Sequence, residues 1–150
     1  MILTEIVKKY LDQSVLCWLA TTDEQGQPNV SPKEIFTYHG DVILIANIAS
    51  PNSVRNIKQN AKVALSFIDI LLQKGFQVHG EAIVFNAKDE EYIQYAKKLI
   101  PLVGDKFKMT SIIKIKPTKV RPILAPSYQF YSETTSEEKQ VEAARLLYGL

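Results

Sequence analysis

Cysteine is nearly absent: Cys17 is the single one in 150 residues, so no internal disulfide can form and packing alone must hold the fold. Histidine is scarce too. His39 and His79 stand 40 positions apart, no HxxxH pair or Cys/His cluster exists, and neither a metal site nor a Ser-His-Asp arrangement can be built. No metal is expected. A charge excess of one sign is also lacking, because 18 basic residues face 16 acidic ones and the lysines are scattered, which argues against a nucleic-acid partner. The longest apolar runs, Val15 to Ala20 and Val42 to Ala46, fall far short of the ~20 residues of a membrane helix, so no membrane partner is expected. The start, Met1-Ile2-Leu3-Thr4-Glu5, lacks the basic opening and cleavage site of a secretory signal, and with the lone thiol this points to the cytoplasm.

What is present is ordinary globular material: 46% hydrophobic and 23% charged residues, read as one domain over residues 1–150 that buries roughly 70% of its unfolded surface. Leu3, Ile6, Val7, Tyr10 and Leu11 recur at helical spacing and predict an opening amphipathic helix. Val15 to Thr22 reads as a strand, and the turn Asp23-Glu24-Gln25-Gly26-Gln27-Pro28 returns the chain antiparallel. Cys17, inside that strand, reads as a small buried hydrophobe rather than a nucleophile. Further strands are predicted at Asn29 to Phe36, Val42 to Ala46, Lys62 to Asp69, Phe76 to Phe85 and Ser111 to Lys116. Helices are predicted from Pro51 to Asn60 and from Glu90 to Leu99, the second interrupted by Pro101 and Gly104. Past Pro117, Pro122 and Pro126 the chain reads as too rich in proline for a sheet interior, and Thr135 with Glu138 offers a capping box for a last helix. Six short strands without strand–helix–strand alternation predict a mainly β fold, an antiparallel barrel with peripheral helices. A nucleic-acid-binding barrel would share that pattern.

The block from Ser50 to Asn60 separates the two readings. Ser50 suits an N-cap, its hydroxyl accepting from an orphan N–H, and Pro51 suits the first helical position. A helix start ringed by Ser50, Asn52, Ser53 and Arg55 offers backbone donors, hydroxyls, a guanidinium and a favourable dipole to an anion such as phosphate. Those residues also describe a capped surface helix. Lys33 follows Ser31-Pro32, whose extended backbone aims it either at a ligand or at solvent. Asn47, ending the Val42 strand, can donate and accept toward a ligand or simply turn the chain. The aromatics Tyr128, Phe130 and Tyr131 suit either a pocket wall or core packing of the C-terminal arm.

From Val15 to Ala82 the order strand, turn, strand, then Ser50-Pro51-Asn52-Ser53-Val54-Arg55-Asn56-Ile57 resembles the pyridoxamine 5'-phosphate oxidase-like family of FMN-binding split barrels. The resemblance implies a six-stranded split barrel with FMN as cofactor, held by Ser31, Lys33, Asn47, Ser50, Asn52, Ser53 and Arg55. It departs at Ser53, where many members carry a phosphate-binding lysine, leaving Lys33 and Arg55 as candidate cations. The arginine-rich signatures that grip a pyridoxine substrate are missing. The resemblance also implies a homodimer with flavin at the interface, in which the turn of Gln73 and Lys74 reaches the partner's flavin, with Tyr128 a candidate for the pocket. The function implied is a flavin-dependent oxidoreductase on an unidentified small molecule, with a non-catalytic flavin carrier as alternative and a deazaflavin or haem as alternative guests. No catalytic residue is assigned.

Overall fold

A computed structural model describes the chain from Met1 to Leu150. In order it runs α1 (Glu5–Gln13), β1 (Cys17–Thr22), β2 (Pro28–Lys33), β3 (Phe36–His39), β4 (Val42–Asn47), α2 (Pro51–Gln59), β5 (Lys62–Asp69), β6 (Lys74–Phe85), α3 (Glu90–Val103), β7 (Ser111–Leu124), α4 (Pro126–Phe130) and α5 (Glu137–Tyr148). The strands form one antiparallel sheet in the order β2-β1-β5-β6-β7-β4-β3. Its two edges, β2 and β3, are joined by only Glu34 and Ile35. Laid flat, edges six spacings apart would be separated by about 29 Å, whereas that link reaches only about 10 Å. The sheet must curl. It does so into a half-barrel with peripheral helices, the split-barrel fold expected from the sequence, and the Ile35 carbonyl accepts from the Ala46 N–H at 3.0 Å, extending the β3–β4 pairing into the link.

The strand count is seven rather than six, because the run expected from Asn29 to Phe36 breaks at Glu34-Ile35 and its remainder pairs with β4 instead of β1. A second correction concerns the prolines. β7 continues through Pro117 and Pro122 to Leu124, but it pairs with β4 only up to Ile115 and beyond that with β6 alone, so one flank is open where a missing N–H costs nothing. α3 likewise runs through Pro101 to Val103, held to the sheet by Leu99 and Val103, and ends at Gly104 with φ 67°. The last helix is capped one residue later than expected: Ser136, not Thr135, accepts from the Lys139 N–H.

Two apolar cores follow from the curl. Inside it, Leu3, the α1 residues Val7, Tyr10 and Leu11, and Ile57 of α2 close over Leu19, Ile43, Leu65, Phe67, Val78 and Ile113. Outside it, α3 covers Leu44, Ala46, Phe85 and Ile112. β4 is therefore buried on both faces, which explains its unbroken apolar run.

Gly75 is needed for steric reasons. A Cβ there would lie 2.0 Å from the Phe67 carbonyl oxygen across the β5–β6 pair, so the strands would have to part. We expect Gly75→Ala to lower the unfolding free energy by about 1–3 kcal/mol in urea denaturation, whereas loss of a few tenths or less would show that this pair opens freely.

Candidate functional site

The closing of the sheet brings the end of β2 against the start of α2. On β2 only alternate residues face inward, and Asn29, Ser31 and Lys33 share the inner side while Val30 and Pro32 face out. Lys33 is 5% exposed. Its ammonium donates to Ser50 Oγ at 2.5 Å, Ser31 Oγ at 2.9 Å and Ser53 Oγ at 3.4 Å, and the Ser31 and Ser53 hydroxyls are 3.1 Å apart. Three hydroxyls thus converge on one buried cation. No carboxylate pairs with it, since the ion pairs of the chain are Lys8–Glu5 and Lys74–Glu137. Burial lowers the Lys33 pKa below the usual lysine value, with only the neighbouring Cys17 thiol acting in the opposite direction. That thiol is itself inert, pushed up to about 12 by burial.

Ser50 occupies the N-cap position but makes no cap bond; its hydroxyl faces Lys33 instead. Pro51 has no N–H, the Val54 N–H reaches the Ser50 carbonyl, and the Ser50 N–H is taken by Asn47 Oδ1 at 3.0 Å. The N–H groups of Asn52 and Ser53 are left without a helical or cap partner. They add two donors and the positive end of the helix dipole beside the ammonium. The helix is held there by side-chain bonds one turn apart, Asn56 Nδ2 to Thr21 Oγ1 at 3.0 Å and Asn60 Nδ2 to Thr22 Oγ1 at 2.8 Å, with Ile57 in the core between them.

Of the residues predicted from sequence, Ser31, Lys33, Ser50 and Ser53 come together. Asn47 joins them indirectly: its amide is consumed by the Ser50 N–H, by Ser111 Oγ at 2.8 Å and by Thr110 Oγ1 at 3.2 Å, so it shapes the connection from β4 to α2. Asn52 and Arg55 bond each other and line a separate, wholly polar depression with Asp23 and Glu24. The structure does not bring that guanidinium to the serines. Gln73, Lys74 and Tyr128 form a third group at the β5–β6 turn. There Gln73 bonds the Tyr148 hydroxyl at 3.0 Å, Lys74 bonds Glu137 at 2.7 Å and lies over the Tyr128 ring, and the Tyr128 hydroxyl donates to the Leu72 carbonyl at 2.8 Å. Within one chain these contacts dock α4 and α5.

Beside Lys33 and Ser50 opens a cavity of about 230 Å³ walled by Ile35, Ala46, Ile48 and Phe107. Sequence reasoning missed these residues. Ile35 sits in the link between the two edges, and Phe107 arrives from a loop after α3 about 70 positions away, so no local pattern ties them to Lys33. A polar cluster around Lys33 therefore abuts a largely apolar slot, which Glu34 also lines.

The buried ammonium gives a pH test. Because its folded pKa lies below the ordinary 10.5, between the two values the unfolded chain binds more protons than the folded one, and stability rises with pH across that window. Below it the burial cost stands in full. We expect this rise in denaturation midpoints measured without ligand, and its loss both in Lys33→Met and when phosphate is bound; an identical rise in Lys33→Met would assign it to another group.

Comparison with known proteins agrees with this architecture. A candidate pyridoxamine 5'-phosphate oxidase from Lactobacillus delbrueckii is 27% identical, with a TM-score of 0.64 over 79% of this chain and 92% of its own. An FMN-binding protein from Syntrophomonas wolfei is 19% identical, with a TM-score of 0.67 over 82% of this chain and 87% of its own. HutZ, the heme storage protein from Vibrio cholerae, is 18% identical, with a TM-score of 0.65 over 83% and 95%. The last two likenesses speak to the fold alone. No curated protein matches the chain. The family model for pyridoxamine 5'-phosphate oxidase matches residues 3–124, all seven strands and the Lys33–serine cluster included, and the chain belongs to that family.

Proposed function

We propose that the chain is an FMN-binding oxidoreductase in which Ser31, Lys33, Ser50 and Ser53 hold the flavin phosphate and the adjoining slot takes one edge of the ring. The observation that carries this reading is a lysine buried to 5% exposure with three hydroxyls around it and no counter-charge. A buried charge without a partner is costly, and a phosphate at this helix start would supply the missing negative charge. Lys33 Nζ lies 3.4 Å from the Ser53 hydroxyl, so Lys33 would supply from β2 the cation that the family resemblance expects from α2. When bound, FMN supplies the redox chemistry. The protein's part is to anchor the phosphate, orient the ring and exclude water with Ile35, Ala46, Ile48 and Phe107.

Haem suits this slot less well, although HutZ is a heme storage protein. The lining contains no histidine, cysteine, methionine or tyrosine, the side chains that hold haem iron. His39 is bonded to Gln94 instead.

A homodimer belongs to the same proposal. The slot is smaller than the ~300–1,000 Å³ of ordinary ligand pockets, so a second copy is needed to cover the ring. The outer side of β1 and β2, behind Lys33, exposes 48% of Trp18 and 59% of Val30, with Pro32 paired beside Trp18, and this apolar face suits the contact. Gln73, Lys74 and Tyr128 are the residues by which a partner would reach the flavin.

FMN should bind at least tenfold more tightly than riboflavin in a fluorescence titration, and Lys33→Ala should weaken FMN by about 1.5–3 kcal/mol. Arg55→Ala should change it by no more than about 0.5 kcal/mol, as for a surface substitution. Equal affinity for both flavins would reject the phosphate seat. The mass of the chromophore released on heating separates FMN from a deazaflavin. Turnover with a nicotinamide donor faster than free FMN distinguishes an enzyme from a carrier.

Light scattering should give a dimer that loses flavin on dilution, because flavin and the second copy would complete one site. A monomer retaining stoichiometric FMN would reject the shared site.

A further inference from the structure

We propose that Ser50 and Lys33 form a nucleophile–base pair with which the flavin-free chain hydrolyses uncharged esters of short apolar acids. This activity goes beyond the flavin reading and does not depend on it. Ser50 Oγ lies 2.5 Å from Lys33 Nζ, and both residues line the slot of about 230 Å³. Ser31 and Ser53 also bond the amine, at 2.9 and 3.4 Å, but neither lines the slot, and Ser53 is 1% exposed. Those two orient the base, and Ser50 is the hydroxyl within reach of a guest.

Ser50 stands at the N-cap position, yet its hydroxyl caps no N–H, and its backbone N–H is held by Asn47 Oδ1. The residue is fixed while its oxygen is left to the amine. A lysine can take the hydroxyl proton only in its neutral form, and the surroundings favour that form: no carboxylate pairs with Lys33, and burial works against its charge. At the first turn of α2 the N–H groups of Asn52 and Ser53 have no helical or cap partner. They and the positive end of the helix dipole can stabilise the negative charge that grows on an ester carbonyl under attack. The walls Ile35, Ala46, Ile48 and Phe107 suit an apolar acyl group, and Glu34 favours an uncharged one. Because a cavity of about 150 Å³ accommodates benzene, the slot has room for a short acyl chain. In the first step Ser50 Oγ bonds to the acyl carbon and its proton passes to Lys33 Nζ, which delivers it to the departing alkoxide as the ester C–O bond breaks. Water then attacks the acyl-serine. Lys33 takes the water's proton and returns it to Ser50 Oγ as the acid leaves.

The experiment treats the flavin-free full chain with p-nitrophenyl butyrate and, separately, with an alkyl fluorophosphonate, which traps activated serines, followed by peptide mass mapping. The phosphonyl label should sit on Ser50. Ester turnover should fall at least about a hundredfold in Ser50→Ala and in Lys33→Met, the lower end of what a positioned base contributes. Because the Ser50 hydroxyl makes no cap bond, Ser50→Ala should keep the circular dichroism and melting temperature of the parent, so its loss of turnover reads the chemistry and not the fold. A label on another residue or on none, or turnover kept in Ser50→Ala, would overturn the nucleophile. Turnover kept in Lys33→Met would overturn the base. Added FMN should protect Ser50 from the label; labelling undiminished by bound FMN would count against the phosphate seat and leave the hydrolase assignment as measured.

Discussion

Two residues, Glu34 and Ile35, connect the two edges of a seven-stranded sheet, and this connection constrains everything else in the molecule. It obliges the sheet to curl, gives it an inside that α1 and Ile57 must plug, and removes the distance between strands that lie at opposite ends of the pairing order. It also fixes where the site is. Lys33 is the last residue of one edge strand, and the curl carries it to the start of α2, which follows β4 on the other side of the seam. The same geometry opens the slot between the Pro32–Ile35 and Ala46–Ser50 segments.

The electrostatics of the seam differ from those of a structural polar network. Networks that serve the fold alone tend to balance their charges, as Lys74 does with Glu137 at the β5–β6 turn. Lys33 has hydroxyls but no anion, and burial works against its charged form. The α2 start is held in place by bonds that do not involve it: Asn47 fixes the turn, while Asn56 and Asn60 fix the helix to β1. Rigid support around an unbalanced charge is the arrangement expected of a preorganised binding site.

The α3–β7 connection adds a second layer. α3 runs through Pro101 and ends at Gly104, and the lysine-rich loop that follows brings Phe107 to the lining of the slot. The C-terminal helices α4 and α5 lie beyond the residues matched by the family model. Their anchor is the group of Gln73, Lys74 and Tyr128.

By itself the sequence determined the periodic features. The amphipathic α1, the β1–β2 hairpin, the strand at Val42 to Ala46 and the Pro51 start of α2 each rest on residues within one or two turns of one another, so local patterning suffices. Ser31, Lys33, Ser50 and Ser53 were legible as anion-binding types for the same reason. Which of them meet was not legible. Arg55 and Ser53 sit two positions apart on one helix, yet helical rotation sends the first to a polar depression and the second to Lys33. The break at Glu34, the passage of β7 through two prolines, and the entry of Phe107 depend on which strand lies alongside and which flank is left open. Those are properties of the curled sheet, decided by pairing between residues far apart in the chain, and only the tertiary structure supplies them.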